Sequence, residues 1–364
     1  MADSDSDDTT CPSNIEKNNN MAGTENIYRF GVRIFFLCVM WYTSSLLQNV
    51  INKHLFGQFP YPTTVSMCHM LAVAVLLAPV LRLWNVPQPD IVDKRSFYQL
   101  IVPLAFGKFF SSVSAEISIL KVSISFAHTV KATMPIFTVL LSRLILKEKQ
   151  TTTIYLSLIP IIFGVMVATL TEASFDVLGL TMAVVATVTF ALQNVYSKKA
   201  LRDIGIHHLR LLLIISQLAS VMLLPIWMVV DLRRILRDRD MHHKVNWVWT
   251  LSLLLTSGAF NFLQNIFAFS ILHLISPLSY SIANATKRIF VIMLSLLMLR
   301  NPVTLINVMG MMTAIFGVLC YNLAKYRDNL VKHRPFLPTV QSDLLDGRII
   351  GKPDMLNGRP HYNV

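Results

Sequence analysis

The sequence predicts an all-α polytopic membrane protein with ten transmembrane helices, arranged as two inverted five-helix repeats. Composition supports this first, because 54% of the 364 residues are hydrophobic and only 14% are charged, against about 25% charged in an average soluble domain. Such a balance excludes a soluble enzyme, a disordered protein and a coiled coil. The net charge of +12 sits in short basic clusters between apolar runs. That pattern is typical of membrane topology, so no nucleic-acid partner is expected.

Stretches of about 20 predominantly apolar residues, the length that crosses a bilayer, define the predicted helices. The long run 245–286 lacks Asp, Glu, Lys and Arg and is divided into two spans at His273 and Pro277. The predicted bounds, in chain order, are 30–52, 62–83, 97–120, 122–145, 151–171, 177–198, 209–230, 248–273, 275–299 and 302–324.

The membrane domain is predicted over 29–326, between two polar tails. Residues 1–28 and 327–364 are expected to be disordered, because they are too polar to bury enough apolar surface. The acidic start of the chain is unlike the cationic beginning of a secretory signal peptide, so none is expected. Lys and Arg concentrate on the side of the membrane that carries both tails, which predicts cytosolic termini. The basic loop 231–246 lies on the opposite side and is the one exception.

Matching stretches indicate that the chain contains an internal repeat. Residues 47–50 (LQNV) in the first span recur as 192–195 in the sixth, and residues 163–165 (FGV) in the fifth recur as 316–318 in the tenth. Five spans is an odd number, so the second half must enter the membrane in the opposite orientation. Inverted repeats are common in secondary transporters, whose binding site lies at the midplane between the halves.

Three basic residues lie at the centre of predicted spans: Lys131 in the fourth, and Lys287 and Arg288 in the ninth. A charge at mid-bilayer costs about 2.5–3.5 kcal/mol on insertion scales. Snorkelling does not relieve this cost, since each helix end is roughly 15 Å away. Glu116 is the one acidic residue well inside a predicted span, and one acid cannot neutralise three bases. We therefore expect the three bases to face a shared aqueous cavity that receives an anion.

A phosphate dianion suits this cavity, because Arg binds phosphate in a bidentate manner and Lys acts as a mobile point charge. Lys108 in the third span either lines the same cavity or pairs with Glu116, and both alternatives stay open here. Residues 238–243 (DRDMHH) are interpreted as a hydrophilic loop, and no metal site or cofactor is expected. Polar neighbours of the three bases contact either the organic part of a substrate or other helices: His128, Thr129, Thr133, Ser281, Asn284 and Thr286.

Residues 125–132 (SFAHTVKA), 277–280 (PLSY) and 284–292 (NATKRIFVI) carry a family resemblance. They resemble the triose-phosphate translocator family of the drug/metabolite transporter superfamily, and most nearly the E subfamily of solute carrier family 35. The resemblance covers the whole membrane domain, about 30–325.

The resemblance implies strict antiport of a phosphorylated sugar against phosphate, with the phosphate clamped by Lys131, Lys287 and Arg288. Family members also shape the site with a His in the third helix and a Tyr in the eighth, where an ungapped alignment gives Ser112 and Gln264 here. This departure favours a larger or different phosphorylated solute. The resemblance to solute carrier family 35 implies a Golgi or other secretory-pathway membrane.

The prediction is therefore an antiporter that exchanges a phosphorylated organic anion for a counter-anion across an endomembrane. Alternatives are an exchanger of nucleotide sugars or nucleoside monophosphates, and a non-transporting membrane scaffold that kept the fold. An intramembrane enzyme acting on a phosphorylated lipid is disfavoured, because the sequence shows no catalytic carboxylate or His cluster. Membrane lipid is the expected surrounding, and a homodimer is left open.

Overall fold

The computed structural model describes residues 12–87, 94–145, 147, 149–173, 175–237, 245–275, 277–299 and 304–332. Within these residues, ten helices are long and apolar enough to cross a membrane. The all-α prediction with ten spans is thereby confirmed. Residues 238–243, the loop discussed above, lie outside the described residues, as does the side chain of Ser281. The helices are α1 Pro12–Gln58, α2 Pro62–Leu83, α3 Lys94–Lys121, α4 Ile124–Ile145, α5 Thr152–Leu170, α6 Val177–Ile204, α7 His208–Arg237, α8 Trp247–Leu274, α9 Pro277–Leu299 and α10 Leu305–Lys332.

Helices at both ends of the membrane domain continue beyond the bounds predicted for their spans. Helix α1 is helical from Pro12 onward, and α10 continues to Lys332. A helix already nucleated inside the membrane extends at little cost, because each further residue adds a hydrogen bond without a new nucleus. Pro12 suits a first helical position, where its missing N–H is no loss.

Helix α6 also extends beyond its predicted span and ends at a defined cap. Gly205 follows its last residue with φ at +70°, in the left-handed region. The amide of Gly205 donates to the carbonyl of Leu201 at 3.1 Å. Such a cap favours glycine, because a side chain at this φ is strained.

Contacts between helices repeat with a shift of five, as an internal two-fold symmetry requires. Helix α1 packs on α8, and α6 packs in the same way on α3. Helix α2 contacts α8, and α7 contacts α3. Three helices pack directly on their own counterparts: α2 on α7, α4 on α9 and α5 on α10. The two five-helix halves therefore interlock, and α4 and α9, which carry the midplane bases, meet at their interface.

The contact between α5 and α10 depends on small residues that let the backbones touch. A Cβ added at Gly164 would lie 2.3 Å from the amide nitrogen of Ala314, and one at Gly317 would lie 2.7 Å from the amide nitrogen of Ile161. Close approach through small residues is a common way to pack helices in lipid, where no hydrophobic force drives them together. Gly164 and Gly317, the glycines of the two FGV stretches, therefore lie in the same contact between α5 and α10, one from each half.

Candidate substrate-binding site

Helix α4 is broken in its middle, next to Lys131. Its first half is Ile124–Lys131 and its second is Met134–Ile145, with a turn at residues 132 and 133 between them. Pro135 has no N–H, so the carbonyl of Lys131 lacks its usual donor four residues on. The amide of Thr133 donates instead to the carbonyl of Val130 at 3.0 Å, which tightens the turn. A carbonyl in mid-membrane is thereby left for another partner.

Arg288 of α9 supplies that partner. Its Nη1 donates to the carbonyl oxygen of Lys131 at 2.8 Å. The bond joins the two halves of the protein at the midplane and fixes one side of the guanidinium. The remaining donors of Arg288 are directed by the same planar group, which suits bidentate recognition of an oxyanion.

The structure brings the three predicted midplane bases together. Lys131, Lys287 and Arg288 are close enough for each to feel the charge of the others. All three lie in the middle of the molecule yet are only partly buried. Each of the three bases therefore keeps some accessible surface instead of being sealed in a packed core. Together they form the basic cluster, the name used below for these three residues.

Aromatic side chains of α1 and α9 hold Lys287 in place. Its Nζ lies 4.5 Å from the ring centroid of Trp41, a cation–π geometry. Trp41 in turn stacks on Tyr280, with ring centroids 5.5 Å apart and planes at 16°. The hydroxyl of Tyr42 donates to the carbonyl of Ala283 at 2.8 Å and so fastens α1 to α9. Trp41 was not among the predicted site residues, because its contact with Lys287 depends on how α1 packs on α9.

The polar neighbours predicted on α4 and α9 fall into two groups. His128 is buried and lies within electrostatic range of all three bases, and its Nε2 has no hydrogen-bond partner among the described residues. Asn284 lies one turn before Arg288 on α9 and is half-buried. Thr129, in contrast, is fully buried, and its hydroxyl donates to the carbonyl of Ser125 at 2.9 Å. His128 and Asn284 therefore lie beside the bases, whereas the hydroxyl of Thr129 is engaged within its own helix.

Thr133 and Thr286 likewise spend their hydroxyls on their own helices. Thr133 donates to the carbonyl of Val130 at 2.7 Å. Thr286 donates to the carbonyl of Ile282 at 3.0 Å and is exposed.

The alternative in which Lys108 pairs with Glu116 is wrong, and both side chains belong to the described part of the chain. Glu116 contacts Asn52 and His69 instead, at 3.0 and 3.5 Å. Lys108 is half-buried and lies within electrostatic range of His69. Ser112 follows Lys108 by one turn and is also half-buried, so it shares the helix face of Lys108 and Glu116.

Gln264 of α8 does not act alone. Its amide nitrogen donates to the side-chain oxygen of Gln48 of α1. Gln48 is the glutamine of the LQNV stretch. Gln264 therefore joins α8 to α1 through a side-chain hydrogen bond.

The described residues form ten membrane-spanning helices in two interlocked halves, and the halves meet at a partly accessible basic cluster. This arrangement is that of a polytopic membrane transporter. The chain matches the profile of the Triose-phosphate Transporter family over residues 32–322, and it belongs to that family. The resemblance to the triose-phosphate translocator family is thereby confirmed, and the family is one of transporters rather than enzymes.

Individual relatives agree with this membership. A chloroplastic triose phosphate/phosphate translocator of Flaveria trinervia is 33% identical over 311 residues, which are 84% of this chain and 75% of that protein. Chloroplastic glucose-6-phosphate/phosphate translocator 1 of Arabidopsis thaliana is 30% identical over 308 residues, 83% of this chain and 77% of that protein. A crystal structure with 13% sequence identity superposes with a TM-score of 0.51 and covers 80% of this chain and 98% of its own. This last likeness concerns the fold alone.

Proposed function

We propose that the protein is a secondary active antiporter that exchanges a phosphorylated organic anion for phosphate by alternating access. One observation carries the proposal: Lys131, Lys287 and Arg288 converge where the two inverted halves meet. The relatives that this chain resembles over most of its length are named triose phosphate/phosphate and glucose-6-phosphate/phosphate translocators, which supports phosphate as the counter-anion. A site between inverted halves can open to each side in turn when the halves exchange conformations.

Each member of the basic cluster has a distinct part in the proposed binding step. Arg288 is anchored by the carbonyl of Lys131 and offers its other N–H groups to two phosphate oxygens. Lys131 and Lys287 supply point charges that follow the phosphate, with Lys287 guided by Trp41. The unpaired Nε2 of His128 is free to hydrogen-bond the phosphate or a hydroxyl of the organic part.

The same charges explain why transport should be an exchange. Closing the cavity without an anion would bury like charges unpaired, at a cost of several kcal/mol per ion. A bound anion removes that cost, so the loaded carrier crosses the closed state far more easily than the empty one. We therefore expect fast uptake only when the opposite compartment also holds a substrate.

Counterflow in proteoliposomes tests this function. Vesicles are loaded either with inorganic phosphate or with buffer, and uptake is followed for labelled phosphate, sugar phosphates, nucleoside monophosphates and nucleotide sugars. We expect uptake of phosphate and of at least one sugar phosphate into loaded vesicles only. Equal initial uptake into loaded and empty vesicles would contradict obligatory exchange. A preference for nucleotide compounds would replace the substrate class, and the absence of any counterflow would favour a scaffold.

A matched pair of lysine variants controls that test. Lys131→Ala removes a midplane charge and should abolish counterflow. Lys121→Ala removes an exposed charge at the end of α3 and should leave counterflow unchanged.

We further propose a Golgi or other secretory-pathway membrane, with both termini in the cytosol and the transport domain spanning 29–326. The location rests on the resemblance to solute carrier family 35, whereas the relatives described above are chloroplastic by name. The orientation rests on the bias of basic residues. This orientation places Lys53 on the lumenal side, against the bias of basic residues. Its Nζ bonds the carbonyls of Ile119 and Val122 at 2.8 Å each and so stabilises the end of α3, which gives this lysine a structural role there.

Two measurements check these points. A fluorescently tagged chain should coincide with Golgi markers, and residence in another organelle would overturn the location. Single cysteines placed in the tails and in 231–246 should react with an impermeant label from opposite sides of the membrane. Labelling of all three from the cytosol would refute the orientation.

A further inference from the structure

Four buried polar side chains from four different helices form a closed ring of contacts. Asn52 Nδ2 of α1 donates to Glu116 Oε2 of α3 at 3.0 Å, and Ser257 Oγ of α8 donates to Asn52 Oδ1. His69 Nε2 of α2 lies 2.8 Å from Ser257 Oγ, and His69 Nδ1 lies 3.5 Å from Glu116 Oε1. None of the four is more than 5% exposed. The proposed exchange mechanism does not use this ring.

Donors and acceptors around the ring leave one position for a mobile proton. The Ser257 hydroxyl donates its hydrogen to Asn52 Oδ1. Ser257 Oγ must therefore accept from His69 Nε2, and this ring nitrogen carries a hydrogen. The other ring nitrogen, Nδ1, faces a carboxyl oxygen of Glu116. A single proton between these two atoms makes a hydrogen bond, whether it resides on the acid or on the imidazole. Without that proton, two lone pairs face each other inside the protein.

The charge of the Glu116–His69 pair depends on that proton. With one proton the pair is neutral in either arrangement, and without it the pair carries one negative charge. A second proton would create a positive pair beside Lys108 and Lys131, the charged groups in electrostatic range on α3 and α4. Asn52 of α1 and Ser257 of α8 face the pair but do not titrate. Among the described side chains, α6 and α7 add no charged group to this set.

Lys131 connects the pair to the basic cluster. Glu116 and Lys131 are within electrostatic range of each other, and Lys131 is in range of Arg288. A negative pair therefore competes with a bound anion for Lys131, whereas a neutral pair leaves the charge of Lys131 for the anion. Two ligands that each favour the other's binding are thermodynamically linked in both directions.

We propose that Glu116 and His69 form a proton-binding site coupled to the basic cluster, so that the protein binds one proton together with its phosphate compound. The inference rests on the proposed function and adds proton-coupled transport to it. Net proton movement results when one exchanged anion crosses with the bound proton and the other crosses without it.

The test is phosphate homoexchange in proteoliposomes across a range of pH, with equal pH on both sides. Glu116→Gln keeps the size and the contact with Asn52 but cannot exchange a proton. Phosphate itself titrates in this range, so the informative quantity is the ratio of KM in the wild type to KM in Glu116→Gln at each pH. The ratio should rise towards alkaline pH, by up to about tenfold per pH unit, the slope of a single linked proton. A ratio that is flat with pH overturns the proton site.

Two further variants keep the test decisive. His69→Gln removes the titrating ring but retains a donor for Ser257. It should flatten the pH dependence as Glu116→Gln does, and it replaces Glu116→Gln in the test if that variant fails to fold. Ser257→Ala breaks the ring but keeps both titrating groups, so its pH dependence should persist. If Ser257→Ala also flattened the profile, the effect would be one of packing and the proton site would be wrong.

Calorimetry gives an independent readout. Inorganic phosphate is titrated into detergent-solubilised protein in buffers that differ in ionisation enthalpy. At the alkaline pH where the KM ratio is steepest, the wild type should take up about one proton more than Glu116→Gln. Equal proton uptake would contradict the proposal. A wild type that neither binds nor exchanges phosphate at any pH would refute the proposed function, and the proton coupling would fall with it.

Discussion

Within the described part of the chain, Arg288 donates one hydrogen bond, and by proposal it makes a second contact with the phosphate. A double-mutant cycle separates the two contacts. The internal contact is the 2.8 Å bond to the carbonyl of Lys131, which Pro135 leaves without a backbone donor. Arg288→Ala strands that carbonyl, at about 1–3 kcal/mol of unfolding free energy. Loss of the phosphate contact should cost about 2–5 kcal/mol of binding, which is roughly 30-fold to several thousand-fold in affinity.

Pro135→Ala provides the second arm of the cycle, because an alanine at this position would supply an N–H to the same carbonyl. In the Pro135→Ala background, Arg288→Ala should therefore lose little stability while still losing phosphate affinity. Stability is measured by thermal unfolding in detergent, and affinity by calorimetry with inorganic phosphate. Arg288→Lys should recover affinity only in part, since an ammonium group cannot make two parallel bonds to phosphate. An equal stability loss in both backgrounds would refute the internal contact, and unchanged affinity in Arg288→Ala would refute the substrate contact.

Three more predictions follow from contacts in the membrane domain. Gly164→Ala should destabilise the protein strongly and lower its yield, because the new Cβ would lie 2.3 Å from the backbone of Ala314; Gly107→Ala, whose nearest neighbour would be 3.9 Å away, is the matched control and should melt like the wild type. Trp41→Leu should raise the KM for phosphate several-fold, because it removes a cation–π contact to Lys287 worth about 0.5–2 kcal/mol; an unchanged KM would show that the ring does not guide the lysine. Lys287→Ala should weaken phosphate binding in the wild type and in Trp41→Leu to the same final level, and additive losses would contradict their coupling.

The basic cluster could be predicted from the sequence alone. A charge at mid-bilayer is costly, so Lys131, Lys287 and Arg288 were expected to share one aqueous cavity. The break in α4 was not predicted, although Pro135 stands close to the stretch that carries the family resemblance. Proline within a span often bends a helix without ending it. Whether the freed carbonyl finds a partner depends on how α4 and α9 cross, which is a property of the folded protein.

The ring of polar contacts around Glu116 could not be predicted from the sequence. Asn52, His69 and Ser257 belong to three helices, and each reads singly as a polar residue that packs between spans. Only the packing of α1, α2, α3 and α8 makes them neighbours of Glu116. In the sequence, Glu116 was considered only as a single acid that cannot neutralise three bases. That count of charges is correct, but it says nothing about where the carboxylate lies.

Position changes what that acid does. A carboxylate bonded directly to Lys131 would cancel its charge permanently and weaken any anion site. Glu116 instead faces His69 and lies within electrostatic range of Lys131 without an ion pair to it, so its influence on the cluster depends on one proton. The empty carrier with a deprotonated pair has three bases against one negative charge, and an unpaired excess still opposes closure. Obligatory exchange and proton coupling therefore follow from one balance of charges: the anion supplies the compensation that the protein lacks, and the proton on the pair sets how much compensation is required.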